Sequence, residues 1–435
     1  MDSVKKQRVI FGLPMLFWGL WLAILFLWMG RFVISFMSIY LVSTMHVDAG
    51  LAGTIVSMYG FGGIFGCLFG GALSDRFGRE PMIVIGQLGS AAMLVILSFI
   101  DDPIVMGGML LLYGVISSLP TPAVSAYIAD VVPVPMQKRA YTLQTWALNF
   151  GFATGPIIAN HLVKISYTLM FYTEAAMLTA VSVMLVVFFH RMGVDRMPSP
   201  ATVRAAGTTG LPAGADSAAG PDPARPRKRP VSMAANYRRA LTDWPLMSMV
   251  LLMFGYTVAY FQMTSGLPIA MTQIGLGTDE YSHVLTINGG ILCLLQIPAI
   301  AVFNRMSNTR VLVLGMLVTA AGYMLQIGAT SWHAFAIAAA LWTLGELGTF
   351  PIAATTVAGL SPADARGTYQ GIYNLSGSMS QAIAPLVGGW VISGFGAHFL
   401  WEACTAMFLL VALGLRLTKG ARERAMARNL QERLA

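Results

Sequence analysis

Two ionisable side chains sit deep inside long apolar stretches, and they are where chemistry is to be sought first. Arg31 interrupts the apolar run that starts near Phe11 and continues past Tyr40, and Glu346 interrupts the run between Phe335 and Val357. A charge at the centre of a membrane-spanning helix costs at least about 2.5–3.5 kcal/mol on insertion scales, so each calls for a compensating role. A carboxyl removed from water favours its neutral acid form, which suits Glu346 to exchanging a proton; a structural hydrogen bond between helices is the lesser alternative. Arg31 stays protonated and cannot carry the proton itself. It can bind a carboxylate on a ligand, bias the titration of Glu346, or tie two helices together.

Other chemistries find no support in the chain. It has no Gly-Lys-Ser or Gly-Lys-Thr of a phosphate-binding loop, so ATP is not expected to be the energy source. Metal-ligand clusters and nucleophile elbows are absent, and the six histidines are scattered. Cys67, Cys293 and Cys404 all lie in apolar segments without metal-like spacing, which reads as packing. No enzyme, cofactor or metal is expected.

The elements that must position Arg31 and Glu346 follow from composition. Of 435 residues 56% are hydrophobic and only 11% charged, with a mean hydropathy of +0.68. Soluble domains carry about 25% charged residues, so the bilayer is the solvent here. Stretches of roughly 20 apolar residues suffice to cross it. They recur over 14–43, 49–73, 81–100, 104–132, 142–163, 167–189, 245–271, 282–303, 310–329, 334–359, 368–393 and 397–417. The first lacks a small-residue cleavage site and is too long for a signal peptide, so it is expected to be a span of the working protein.

With twelve spans, both termini and the loops after every second span share one side. Of the 27 Lys and Arg residues, all but Lys164 and Arg31 fall there. Basic residues are retained in the cytoplasm during insertion, which predicts both termini inside a cytoplasmic (inner) membrane. The net charge of +8 therefore reports topology and not nucleic-acid binding.

Residues 191–243 break the pattern, being rich in Ala, Gly, Pro and Arg, and read as a disordered cytoplasmic linker between a bundle at 1–190 and a second at 244–435 that ends in a basic tail. The Arg225–Pro230 cluster can touch anionic headgroups or simply remain solvated. One constant offset aligns Arg76 with Arg305, Gly86 with Gly315, Pro122 with Pro351, Pro133 with Pro362 and Pro156 with Pro385. An offset one residue shorter superposes Phe171–Ala175 on Phe399–Ala403. The fold class expected is an all-α membrane protein of 12 transmembrane helices in two parallel six-helix repeats, a design that implies two bundles rocking about a site between them.

Between spans 2 and 3 runs Gly71-Ala-Leu-Ser-Asp75-Arg76-Phe-Gly78-Arg79-Glu80. This resembles the signature loop of the major facilitator superfamily, Gly-x-x-x-Asp-Arg-x-Gly-Arg-Lys or Arg, with Glu80 as the departure. The resemblance implies a cytoplasmic latch in which Asp75 lies near the positive end of helix 11 and Gly71, Arg76, Gly78 and Arg79 complete the cluster. The second copy, Asn304-Arg305-Met-Ser-Asn308, has lost its acid. In span 5, Gly151, Gly155 and Pro156 are similar to the Gly-Pro motif of the family's drug-proton antiporters, although Ala159 and Asn160 stand where a glycine pair is usual. Span 11 keeps the pair as Gly388-Gly389. In span 2, Gly62, Gly66 and Gly70 predict close helix packing.

In this family spans 1, 4, 7 and 10 line the central cavity. The resemblance therefore implies a shared aqueous site for Arg31 and Glu346, with Tyr260, Gln262, Asn149 and Trp146 among its candidate lining, and Tyr256, Asn288, Gln296, Trp342, Asn374 and Gln381 as further polar or aromatic groups on the spans. Glu174 and Glu402, near the outer ends of peripheral spans 6 and 12, read as structural. The expected function is proton-coupled export of small amphiphilic molecules or drugs by a monomer, with a small-molecule substrate, protons and the lipid bilayer as its partners. An uptake symporter of the same fold is the runner-up, and a non-transporting membrane sensor whose linker binds a cytosolic partner is the alternative of another class.

Overall fold

The computed structural model describes residues 9–192, 233–303, 305–362 and 365–434. A short hairpin, β1 (Val9–Ile10) paired with β2 (Leu13–Pro14), leads into the first span. The N-terminal bundle consists of α1 (Met15–Met29), α2 (Val33–Ile39), α3 (Ala49–Phe77), α4 (Arg79–Leu97), α5 (Pro103–Ser118), α6 (Pro120–Val131), α7 (Val134–Val163) and α8 (Tyr167–Met192). After α9 (Met233–Thr242) come α10 (Trp244–Tyr260), α11 (Gly266–Gln273), α12 (Thr278–Phe303), α13 (Asn308–Gln326), α14 (Trp332–Leu360), α15 (Arg366–Leu417) and α16 (Lys419–Leu434).

Ten stretches among the described residues are long and apolar enough to cross a bilayer. They yield twelve spans because α15 holds two, joined at Gly396 (φ 85°), and the 30-residue α7 adds another. Three spans are discontinuous. Span 1 breaks between α1 and α2 at Gly30–Phe32, span 4 between α5 and α6 at Leu119, and span 7 between α10 and α11 at Phe261–Ser265.

Local sequence sets the helix ends. Asp48 accepts the Gly50 N–H at 2.8 Å to start α3. Asp102 accepts those of Ile104 and Val105, with Pro103 at the first helical position. These caps satisfy donors that no helical carbonyl can reach. Gly78, at φ 96°, ends α3 and starts α4 in one residue, which a side chain would oppose. The fully inverted outer surface, with Ile104 and Leu294 both 77% exposed, is what helices facing hydrocarbon need.

The two bundles meet at the end opposite the basic loops. There Gly53 of α3 lies against the Pro385 carbonyl and Gly389 of α15, and Gly289 of α12 lies against Ala153 of α7; a methyl at Gly53 would come within 2.2 Å of that carbonyl. Asp48 accepts the Ser393 hydroxyl at 3.0 Å, Trp390 donates to Thr54 at 3.2 Å, and Lys164 pairs with Asp279 at 2.7 Å. Asn160, standing where a motif glycine is usual, hydrogen-bonds the same Asp279.

One sequence boundary needs correction. The stretch expected as linker, residues 191–243, is helical at both ends: residues 191–192 finish α8 and Met233–Thr242 is the helix α9, packed against α10 and α15; residues 193–232 lie outside the described part. The C-terminal basic tail is the helix α16. Its Arg422 is buried and donates to the Leu415 carbonyl at 2.7 Å, and Asn429 donates to the Leu360 carbonyl at 2.6 Å, closing the end of α14.

Candidate functional site

Glu346 sits on α14 one residue after Gly345. Gly345 and Gly315 bring α14 against α13 so closely that a methyl at Gly345 would lie 2.5 Å from the Gly315 carbonyl. Glu346, a step around the helix, thereby meets α12, where Asn288 donates to its Oε2 at 2.9 Å and to the Thr343 hydroxyl at 2.8 Å. Tyr260 reaches toward the same carboxylate from the end of α10. The residue is 8% exposed, and that remainder faces a cavity of about 500 Å³ between the bundles. Trp146 and Asn149 of α7 face it from the other side, with Gln296 of α12, and Asn149 donates to Gln296 across the bundle boundary at 2.6 Å. The cavity extends to Tyr141 and Ile300, toward the end of the molecule that carries the basic loops. It thus holds a nearly buried carboxyl, and the contacts described above join the bundles at the opposite end.

Of the sequence candidates, Glu346, Trp146 and Asn149 are brought together here, with Tyr260 just behind. Gln262 is not part of the cavity. It is buried in the break of span 7 and donates to the Ala384 carbonyl at 2.8 Å, and Gly388 is a glycine because a methyl there would fall 2.0 Å from the Gln262 side-chain oxygen. The glycine pair thus serves two neighbours, Gly388 admitting Gln262 and Gly389 admitting α3.

Arg31 also departs from expectation: it does not share the Glu346 cavity. It lines a separate cavity of about 200 Å³ inside the N-terminal bundle, with Trp28, Gln87, Ser117, Gln144 and Glu174 among its walls. The reason is the break in span 1, which turns residue 31 inward. Glu174 holds that break open: its Oε2 accepts the N–H groups of Phe32 (3.0 Å) and Val33 (2.8 Å), and its Oε1 accepts the Tyr113 hydroxyl (3.1 Å). An acid at the N-terminus of the half-helix α2 satisfies the Val33 N–H and shares the Phe32 N–H with the Gly30 carbonyl, 3.2 Å away. Gly151 of the Gly-Pro motif allows α7 to close on this point, since a methyl there would meet Trp28 at 2.5 Å, and Gly155 packs beside the Met29 carbonyl; Pro156 lies inside α7 one residue on.

The internal repeat exposes a relation that single residues did not. At the offset relating Arg76 to Arg305, Arg31 corresponds to Tyr260, Tyr59 to Asn288 and Ser117 to Glu346. Each trio is bonded: Arg31 and Ser117 (3.3 Å) both donate to the Tyr59 hydroxyl, and Asn288 joins Glu346. The two halves therefore carry equivalent clusters on their first, second and fourth spans, one holding a cation and the other an acid.

The signature loop forms the basic end of α3 and the start of α4. Gly71 lies in open space, Arg76 lies over the Phe77 ring at 5.4 Å, Gly78 makes the turn, and Arg79 opens α4. Asp75 is within α3, and its side chain lies outside the described part of the structure, as does that of Asp130. Among the described residues no group of three or more potential metal ligands occurs.

The sequence profile described as Major Facilitator Superfamily matches residues 20–280 and 267–433. An uncharacterized MFS-type transporter of Bacillus subtilis, YqjV, is 25% identical over 369 residues, covering 84% of this chain and 83% of its own. The multidrug resistance protein MdtH of Yersinia pestis is 24% identical over 330 residues, covering 74% and 73%. Among solved structures, a POT family transporter in complex with a thioalcohol-conjugated peptide superposes with a TM-score of 0.76 at 14% identity, covering 96% of this chain and 98% of that one. A peptide transporter POT mutant gives 0.77 at 16%, covering 97% of each. At these identities the structural likeness speaks to the fold.

Proposed function

Since the chain belongs to the major facilitator superfamily and is a multi-pass membrane transporter, we propose that it exports small amphiphilic molecules in exchange for protons by alternating access, with Glu346 as the proton-exchanging group. The single observation that carries this reading is the setting of Glu346: a carboxyl on a family cavity span, buried against Asn288, whose one open side faces the space between the bundles. A cavity that extends toward the basic loops, with the bundles joined at the opposite end, supports a state open to that side, which the charge asymmetry predicts to be cytoplasmic. Export is supported by the similarity to a multidrug resistance protein, and the aromatic rim of Trp146 and Phe350 suits amphiphilic cargo.

The test is Glu346→Gln. Gln mimics the protonated acid, so transport driven by a pH gradient in proteoliposomes stops while substrate exchange without a gradient survives. Gradient-driven accumulation at the wild-type level would remove Glu346 as the proton site. Inside-out vesicles report direction: export appears there as uptake driven by an acid interior.

A further inference from the structure

We infer that the cavity inside the N-terminal bundle is a binding site for the carboxylate end of a small amphiphile, with Arg31 as its counter-charge. This deepens the transporter reading above and rests on it for taking the bound molecule to be cargo.

The argument begins with what Arg31 lacks. A guanidinium has five N–H donors. Here one bond goes to the Tyr59 hydroxyl, and the group lies over the Trp28 ring at 5.3 Å. No carboxylate among the described residues comes within ion-pairing distance of it. The nearby acid, Glu174, is already committed, one oxygen to two backbone N–H groups and the other to Tyr113. A permanent helix tie would pair the charge, because a cation at membrane depth without an anion is costly. Tyr59 supplies a dipole and not a charge. Arg31 lines the cavity, whose other walls are apolar (Ile24, Leu148, Leu178), polar and uncharged (Gln87, Ser117), and Glu174, both of whose oxygens already accept the bonds just named.

The repeat supplies an independent reason. The equivalent cluster in the second half places Glu346 at the inter-bundle cavity, so this fold brings a charged member of the cluster to a cavity there. In the first half a different member of the same cluster, the one equivalent to Tyr260, brings a cation to a cavity. A planar guanidinium recognises a planar carboxylate by paired N–H donors, and the Trp28 face and leucine walls receive an aromatic or aliphatic body beside it. Arg31 is thus a specificity-determining residue for an anionic group, while Glu174 is a positioning residue that keeps it turned inward.

The experiment is calorimetric titration of the detergent-purified full chain with 2-naphthoate and with its uncharged isostere 2-naphthamide, with no pH gradient. The expected result is saturable binding of 2-naphthoate, roughly tenfold or more tighter than the amide, as loss of a charge-assisted pair implies. Arg31→Gln should reduce this preference to about one while the melting profile is kept. Leu148→Trp, which fills the cavity without touching the charge, should abolish binding of both compounds, and it decides the matter if Arg31→Gln does not fold. Absent saturable binding, equal affinity for acid and amide, a preference that survives in Arg31→Gln, or unchanged binding in Leu148→Trp would each overturn the assignment. Because binding is read at equilibrium and Glu346 coupling by gradient-driven flux, either reading can fail while the other stands.

Discussion

The acid that holds span 1 open is the most exposed point of the reasoning, so Glu174→Ala and Glu174→Gln make the sharpest paired perturbation. In the wild type three donors converge on one carboxylate, the backbone N–H groups of Phe32 and Val33 and the Tyr113 hydroxyl, at 3.0, 2.8 and 3.1 Å. Ala removes the acceptor and strands the buried Val33 N–H and Tyr113 hydroxyl at about 1–3 kcal/mol each, while Phe32 keeps its bond to the Gly30 carbonyl, so the loss is about 2–5 kcal/mol, with little cavity cost because the side chain already borders a void. Gln keeps an oxygen for both N–H groups, and its amide nitrogen can donate to a rotated Tyr113 hydroxyl. Only the charge assistance is lost, about 1–2 kcal/mol. Thermal unfolding in detergent should therefore rank wild type above Gln above Ala. Hydrogen exchange should quicken at residues 32 and 33 far more in Ala than in Gln, a local signature that general destabilisation does not produce. Equal stability of the two variants, or unchanged exchange at those amides, would show that α2 does not depend on the carboxylate and would remove the reason for Arg31 to face inward.

Further outcomes follow from other contacts. Asp48 is held below the usual carboxylate range, first by the Gly50 N–H and then by the Ser393 hydroxyl, so the contact it makes where the bundles meet is fully present above about pH 4 and is lost as pH falls through its lowered value. Because the group is largely exposed, Asp48→Asn should cost only about 0.5–1 kcal/mol, a 2–5-fold shift toward opening in single-molecule distance measurements, and the variant should lose the acid-dependent opening that the wild type shows. Asp75→Asn should lower transport turnover more than substrate affinity if its loop is a latch, read as a fall in kcat with little change in Kd. Deleting residues 197–230 while keeping α9 should leave a monodisperse protein with full flux; loss of folding would contradict the linker reading.

The spans themselves were legible because a bilayer imposes one rule, about twenty apolar residues per crossing, and the basic loops mark every second turn. The Gly62-Gly66-Gly70 ladder was legible for the same reason: small residues at four-residue spacing announce a close neighbour, and α5 lies there, its Leu111 and Val115 carbonyls where methyl groups would be. What could not be read was the direction of each side chain. Arg31 and Glu346 look alike in sequence, two charges in apolar runs, yet the break at Gly30–Phe32 turns one into the N-terminal bundle while α14 aims the other between bundles. The break itself has a weak signal, a single glycine before the arginine, because its support comes from Glu174, more than a hundred residues away. Gln262 was misplaced for a similar reason, since its partner is a backbone carbonyl of α15. The strongly basic sequence of α16 hides its docking, which rests on few residues: Arg422 and Asn429 bond the ends of α15 and α14, and Ala425 and Met426 pack against the core.

The repeat explains why the two charges need not share a cavity. A duplicated bundle starts with the same three positions in each half, on its first, second and fourth spans, and a polar trio there is already oriented toward whatever water the fold admits. Divergence has only to change which member carries charge. In the N-terminal half it is the first-span residue, Arg31, and Tyr59 and Ser117 keep it in place; in the C-terminal half it is the fourth-span residue, Glu346, and Asn288 does so. The supports have diverged too. Glu174 is buried under the first break, whereas its counterpart Glu402 is exposed, and the second break is held instead by Tyr323 donating to the Tyr260 carbonyl at 2.7 Å and by Gln262. With a fixed cation in one bundle and a carboxyl in the other, the proposed recognition of charge and the proposed exchange of protons fall on separate residues, so that substitution at Arg31 is expected to change cargo preference while gradient coupling through Glu346 persists.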